Sequence, residues 1–267
     1  MKSQGAGLTR AILGARPASQ PASAFALAIL PTQSGSIRDG SDGVNSSAAS
    51  LREQDLRARG LIAEQFDDLE QQHATAQFGM WVFLATEVLF FGVLFAGYAV
   101  CRVRDPEGFL LGSQHTEILF GAVEAGILLL SSATVTFAVN LIKFDERRVV
   151  ASLLAITALL GVAFLVLHGV EYSHEHDEHL MVGVDFAQHG PHARGIELFF
   201  FLYYAMTLYH SLHVLIGVCV IGTMGVLVWR GKIRSEYTTP LVVAGLYWHL
   251  VDIVWIFLFP LMYLIGR

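Results

Sequence analysis

Five apolar runs dominate the chain from residue 78 onward, at about 78–101, 117–141, 149–170, 196–229 and 241–265, with short polar or charged segments between them. Each is long enough to cross a bilayer as an α-helix, which takes about 20 residues. At a rise of ~1.5 Å per residue the fourth run exceeds the ~30 Å of hydrocarbon, so that helix is expected to tilt or project. Residues 1–75 have a different pattern. PTQSGSIRDGSDGVNSSAAS (31–50) has no apolar periodicity and reads as disordered, and a short surface helix is expected in LREQDLRARGLIAEQFDDLEQQ. The first 38 residues carry Lys2, Arg10, Arg16 and Arg38 without an acid, plus the short apolar run AFALAIL, a faint likeness to a targeting peptide. The predicted architecture is all-α: a polytopic membrane protein with a five-helix transmembrane bundle over 76–267 and a mostly disordered N-terminal tail over 1–75.

Composition agrees: 54% of residues are hydrophobic, only 15% are charged, and mean hydropathy is +0.54, the balance of a membrane protein. The net charge of −6 comes without a Lys/Arg cluster, which excludes nucleic acid as a partner. Cys101 and Cys219 lie far apart in or beside apolar runs and form neither a CxxC pair nor a disulfide framework. Orientation follows from the short loops. Lys143, Arg147, Arg148, Arg230, Lys232 and Arg234 lie on one face, against Arg102, Arg104, Arg194 and Arg267 on the other. The excess puts the N-terminus in the cytoplasm and the C-terminus outside, so HGVEYSHEHDEH (168–179) falls on the outer face.

A charge at the centre of a membrane helix costs about 2.5–3.5 kcal/mol on insertion scales, so every buried one needs a partner or a wet cavity. Glu87 lies in the first run, Glu124 in the second, His210 and His213 in the fourth, and His249 and Asp252 in the fifth. Counted at ~1.5 Å per residue, Glu87 and Asp252 from the inner side and the two histidines from the outer side reach similar depths and suit one mid-membrane layer. His210 with His213, His249 with Asp252, and His168 with Glu171 are each spaced i,i+3, on one side of a helix. Interhelical hydrogen bonding and lipid-headgroup contact, proton conduction or buffering by Glu87, and metal ligation all suit such groups. Ligation requires three or four side chains to converge on one point. SHEHDEH beyond Tyr172 reads as a solvent-facing loop with adventitious metal affinity only. No dedicated metal site, cofactor-binding residue or catalytic residue is expected in this chain. SSATVTFA (131–138) and GVCVIGTMG (217–225) supply small residues for close helix contact. Trp229, Tyr237, Tyr247 and Tyr263 suit interfacial aromatic belts, and ELFFFLYY suits core packing.

Five motifs then resemble subunit III of the haem-copper oxidases: MWVFLATEVLFFGVLFAGY with Glu87, LLLSSATVTFAV, HGVEY with Glu171, YHSLHVLIG with His210, His213 and Gly217, and YWHLVDIVWIFLFPLMYL with Trp248, His249, Asp252 and Trp255. The resemblance spans about 76–267 and matches the five-helix bacterial type. The two extra helices of longer members are absent, and so is any lipid site built from them. Leu208 and Ser211 stand where the family often has glycine, which implies looser packing beside the histidines. The resemblance implies an accessory, non-redox subunit in the inner membrane of a bacterium, beside catalytic subunit I and subunit II, which hold the haem and copper. Such a subunit binds phospholipid, steadies subunit I and supports proton uptake, with Glu87 on the proton path. Glu124, His168, Glu171, His210, His213, His249 and Asp252 are then structural or lipid-contacting groups. The complex passes electrons from cytochrome c to dioxygen and translocates protons. Similar accessory subunits of nitric oxide reductases and quinol oxidases are alternatives. HEHDEH also suggests a metal or proton-coupled transporter, although five helices do not divide into inverted repeats.

Overall fold

The computed structural model describes residues 65–177, 191–233 and 237–266, with isolated positions at 51, 54, 55, 57, 58 and 235. The chain divides into two units, Met1–Arg52 and Glu53–Arg267. Only Leu51 of the first is described, so the tail expected to be disordered lies outside the described residues. The described positions between 51 and 58 are helical and exposed, in keeping with a surface helix there.

The second unit is all-helical, with no strand among the described residues. The elements are α1 (Leu69–Arg104), α2 (Pro106–Gln114), α3 (Ile118–Leu141), a 3₁₀ turn (Ile142–Phe144), α4 (Arg147–Asp177), α5 (Ala193–Trp229) and α6 (Thr239–Tyr263). All but α2 and the turn are long and apolar enough to cross a membrane. The five predicted spans are present, and their ends differ from the predicted ones for identifiable reasons. α1 starts nine residues before Phe78, because the Asp68 side chain accepts the Gln71 N–H at 2.7 Å and the Gln71 amide oxygen accepts the Asp67 N–H at 2.9 Å. These reciprocal caps satisfy free donors of a polar first turn. α2 was not anticipated: Asp105 caps the Gly108 N–H at 3.1 Å, Pro106 occupies the first turn, and Phe109 and Ser113 are buried.

α4 departs furthest from expectation. It continues to Asp177, so the residues read as a solvent-facing loop beyond Tyr172 are, as far as described, another turn and more of helix. His174 and His176 are exposed, but Glu175 is only 4% exposed.

α3, α4, α5 and α6 form the bundle, and α1 lies against α5 and α6. The apolar window of α6 is 61% buried and that of α1 only 11%. α1 buries Leu84, Phe91 and Tyr98 and leaves Trp81, Leu89 and Val93 open to lipid or to another protein. Trp248 of α6 is the packing centre. A Cβ on Gly217 would sit 2.9 Å from its indole ring, and one on Gly161 would sit 2.7 Å away. Both α4 and α5 therefore need glycine there, while the indole N–H donates to Ser131 Oγ on α3 at 2.9 Å.

Two belt assignments are corrected. Tyr247 and Tyr263 are buried, each tied by its hydroxyl to the interior; Trp229, 73% exposed, is free to face the interface. ELFFFLYY packs Phe199, Phe200 and Tyr203 inside as expected, although Phe201 is exposed. Leu208 is exposed too, so the missing glycine at that position meets no neighbouring helix.

Candidate functional site

The membrane-embedded polar residues fall into three groups, and no hydrogen bond or ion pair links one group to another among the described residues. Glu87 of α1 does meet His213 of α5, as their similar counted depths allow, but the groups expected at that depth do not join in one hydrogen-bonded network among the described residues. Helix rotation, which depth does not specify, decides which side chains meet.

The first group joins α1 to α5. Glu87 Oε2 lies 3.0 Å from His213 Nε2, both side chains being mostly buried. His213 Nδ1 is 2.7 Å from the Tyr209 carbonyl. A carbonyl only accepts, so Nδ1 carries a proton and Nε2 faces the carboxyl. One further proton lies between Nε2 and Oε2, on the acid or on the imidazole. Phe91 packs edge-on against the imidazole at 5.4 Å, and the Tyr247 hydroxyl donates to the His213 carbonyl at 3.1 Å. A carboxyl and an imidazole sharing a proton across a helix interface are chemically equipped to take up, hold and release it.

The second group lies at the His-rich end of the bundle and is almost closed to solvent. His168 Nδ1 sits 3.4 Å from Glu124 Oε1 and 3.4 Å from Glu171 Oε2, with the three side chains 3%, 0% and 2% exposed. Glu171 Oε2 also accepts the Tyr263 hydroxyl at 3.0 Å, and Tyr203 lies 3.2 Å from Tyr263. Phe164 stacks on the His168 ring, and Trp255 meets it edge-on. His168 and Glu171 therefore do share a face, and α3 adds Glu124 to it.

The third group centres on Ser132 of α3. Its hydroxyl is 2.7 Å from His249 Nδ1, and Asp252 lies beside it without a well-formed hydrogen bond to either carboxyl oxygen. His210 belongs to none of the three. It is fully buried and stacks on Trp255 at 5.0 Å, with no hydrogen bond to either ring nitrogen among the described residues. The expected His210/His213 pairing is thus not seen: three residues turn a helix by about 300°, and the remaining ~60° sends one ring to the core and the other to α1.

Sequence reasoning missed Glu175, Tyr203 and the two partner serines, Ser131 and Ser132. Glu175 had a signal, since it follows Glu171 at i+4 and continues the same helical face. The serines lie in a run read only as small residues, and nothing in its spacing marks them as hydrogen-bond partners of Trp248 and His249.

The sequence profile of the family described as cytochrome c oxidase subunit III matches residues 59–267. The chain is 34% identical to a cytochrome c oxidase subunit 3 of Thermostichus vulcanus over 197 residues, which is 71% of this chain and 87% of that protein. A cytochrome bo(3) ubiquinol oxidase subunit 3 of Pseudomonas aeruginosa is 29% identical over 205 residues, 77% of this chain and 92% of the relative. A quinol oxidase subunit 3 of Bacillus spizizenii is 30% identical over 189 residues, 70% and 86% of the two chains.

Proposed function

Because this chain belongs to the cytochrome c oxidase subunit III family and is an accessory subunit of a haem-copper oxidase, we propose that its work is to steady the catalytic subunit and to support proton uptake through Glu87. The observation that carries this reading is the Glu87–His213 pair at 3.0 Å, with Nδ1 of the histidine held by a carbonyl. The pair joins α5 to α1, the helix whose apolar face is least buried, so it lies behind a surface that a larger partner can cover. In the complex that partner is the catalytic subunit, which with subunit II holds the haem and copper; this chain supplies packing and a proton site, and no redox group.

Phospholipid is the second class of partner. A cleft of about 580 Å³ between α1 and α6, lined by Trp81, Leu84, Val88, Leu89, Leu246 and Ile253, suits acyl chains. A cleft of about 740 Å³ between α4 and α5 places Arg148 and Trp229 at one end of an apolar groove, as a phosphate headgroup above acyl chains requires. The Lys/Arg count supports a cytoplasmic N-terminus and an outer C-terminus in a bacterial inner membrane, with residues 1–75 as a polar tail.

Electrons come from cytochrome c in the preferred reading; relatives named as ubiquinol and quinol oxidase subunits favour quinol as the second. Purification of the native complex, its haem spectrum and its turnover with each donor separate the two. In that complex, Glu87→Gln should leave assembly intact and slow proton uptake or shorten the active lifetime. Unchanged uptake and lifetime would reduce Glu87 to a packing residue.

A further inference from the structure

The buried group at the His-rich end has a geometry that hydrogen bonds do not explain. One ring nitrogen, His168 Nδ1, faces two carboxylate oxygens at 3.4 Å each. A ring nitrogen bears at most one hydrogen, which could serve both oxygens only as a weak shared bond, and N–H···O bonds are normally about 2.7–3.2 Å. Accordingly, neither Glu124 oxygen nor either His168 ring nitrogen has a hydrogen bond among the described residues, although the side chains are at least nine-tenths buried. Glu171 Oε1 and both oxygens of Glu175 are also without one. Three carboxyl groups crowded around one imidazole in an apolar setting are costly to hold ionised unless something neutralises them.

We propose that Glu124, His168 and Glu171 bind one divalent first-row cation of the zinc class, as a structural site that ties α3 to α4. Zinc takes nitrogen and carboxylate oxygen at about 2.0–2.2 Å in a tetrahedron, whose edges are then about 3.3–3.6 Å. The two separations of 3.4 Å are edges of that size, and the three ligand atoms lie within 4.8 Å of one another. The cation takes one lone pair each from Glu124, His168 and Glu171, which replaces the mismatched contacts on His168 Nδ1, and it offsets the carboxylate charge.

The approach to the site runs past Glu171. Glu171 also lines a cavity of about 20 Å³, room for about one water or ion. Its other walls include His115, Glu117, His174 and Glu175, of which His174 is exposed. A cation entering from the His-rich end passes between side chains that can each hold it for a moment before it reaches Glu171. Glu175, only 4% exposed, places a further carboxyl group beside the site. The proposal rests on residues of this chain alone and does not depend on Glu87 carrying protons.

The test uses the purified oxidase complex, stripped with a chelator, equilibrated with micromolar zinc chloride and freed of unbound ion. Zinc content is counted separately from the iron and copper of the partner subunits. One zinc per copy of this chain is expected, with an X-ray absorption spectrum of one nitrogen and otherwise oxygen ligands. Glu124→Gln and His168→Gln should each weaken binding by about 100-fold or more, the upper end of what even a supporting residue costs a metal site. His174→Gln, at the entrance, should slow loading without changing the amount bound. A wild-type complex that retains no zinc overturns the proposal and leaves shared protons as the neutralising charge. Zinc held equally by wild type, Glu124→Gln and His168→Gln also overturns it. If those variants do not assemble, the wild-type spectrum decides: sulfur ligands, or two or more nitrogens, place the ion elsewhere.

Discussion

The Glu87–His213 pair and the Glu124–His168–Glu171 group use the same two residue types and differ in enclosure. The pair has a normal hydrogen bond of 3.0 Å, and each side chain keeps about a sixth of its surface open. The group has more charge, less exposure and poorer internal geometry, with 3.4 Å contacts on one nitrogen. An open, well-bonded pair can change its protonation at small cost to the fold. A closed group that is internally mismatched is costly to recharge and suits a structural role. Exposure thus separates a site suited to proton traffic from one suited to holding helices together.

His168→Leu tests this most severely, because it leaves two buried carboxylates without their common partner. Breaking a buried charge group in this way costs about 3–5 kcal/mol. The expected outcome is failed assembly, or release of the chain at much lower denaturing-detergent concentration. A variant that assembles and resists detergent like wild type would show that the group is not structural.

Gly217→Ala probes packing with no change in charge. The added methyl would fall 2.9 Å from the Trp248 ring, which is itself held by Ser131. Overpacking of this kind costs about 1–3 kcal/mol, and should appear as earlier loss of the chain in the same titration. Because the strain is carried through Trp248 on α6, the Glu87–His213 pair should shift as well, since Tyr247 beside it donates to the His213 carbonyl. Slower proton uptake in this variant would couple the two regions; unchanged uptake would show them independent.

Much of the fold was legible because a bilayer imposes a length on every apolar run. The five spans follow from that length, and the buried acids and histidines stand out against it. The missed parts lie where that constraint ends. The first turns of α1, all of α2 and the last turns of α4 are polar helix outside the apolar runs, stabilised in α1 and α2 by the caps Asp68 and Asp105 and by the burial of Phe109. Pairing was legible only in part. An i,i+3 spacing places His168 beside Glu171, and both His249 and Asp252 at Ser132, but separates His210 from His213. Which outcome occurs depends on how each helix is rotated, and rotation is set by contacts such as Gly217 against Trp248 that no single helix reveals.

Tyr263→Phe removes one hydroxyl from the enclosed group. Glu171 loses its donor at 3.0 Å and Tyr203 loses its neighbour at 3.2 Å, while the ring remains to fill the same space. A hydrogen bond to a charged group is worth about 1.5–3 kcal/mol, and the lower part of that range is expected, because Glu171 keeps its contact with His168. The detergent midpoint should move by less than in His168→Leu. An equal loss in both variants would mean that the hydroxyl chain, and not the imidazole, neutralises Glu171.

Glu87→Gln should disturb the fold least. Gln has nearly the shape of Glu, and its amide N–H can donate to His213 Nε2, so the link between α1 and α5 survives with one proton fixed in place. Part-exposed pairs contribute about 0–1 kcal/mol, so detergent resistance should match wild type within that amount. The functional loss should be out of proportion to the structural one, since an amide cannot give up the proton that a carboxyl releases. Glu87→Asp separates the two effects further: it keeps the titratable group but shortens its reach by one methylene, so uptake should partly recover although the 3.0 Å contact is weakened. Recovery with Asp and not with Gln assigns the role to the proton; equal behaviour of both assigns it to geometry. In the latter case the openness of the pair would reflect a seat for the catalytic subunit and not a path for protons.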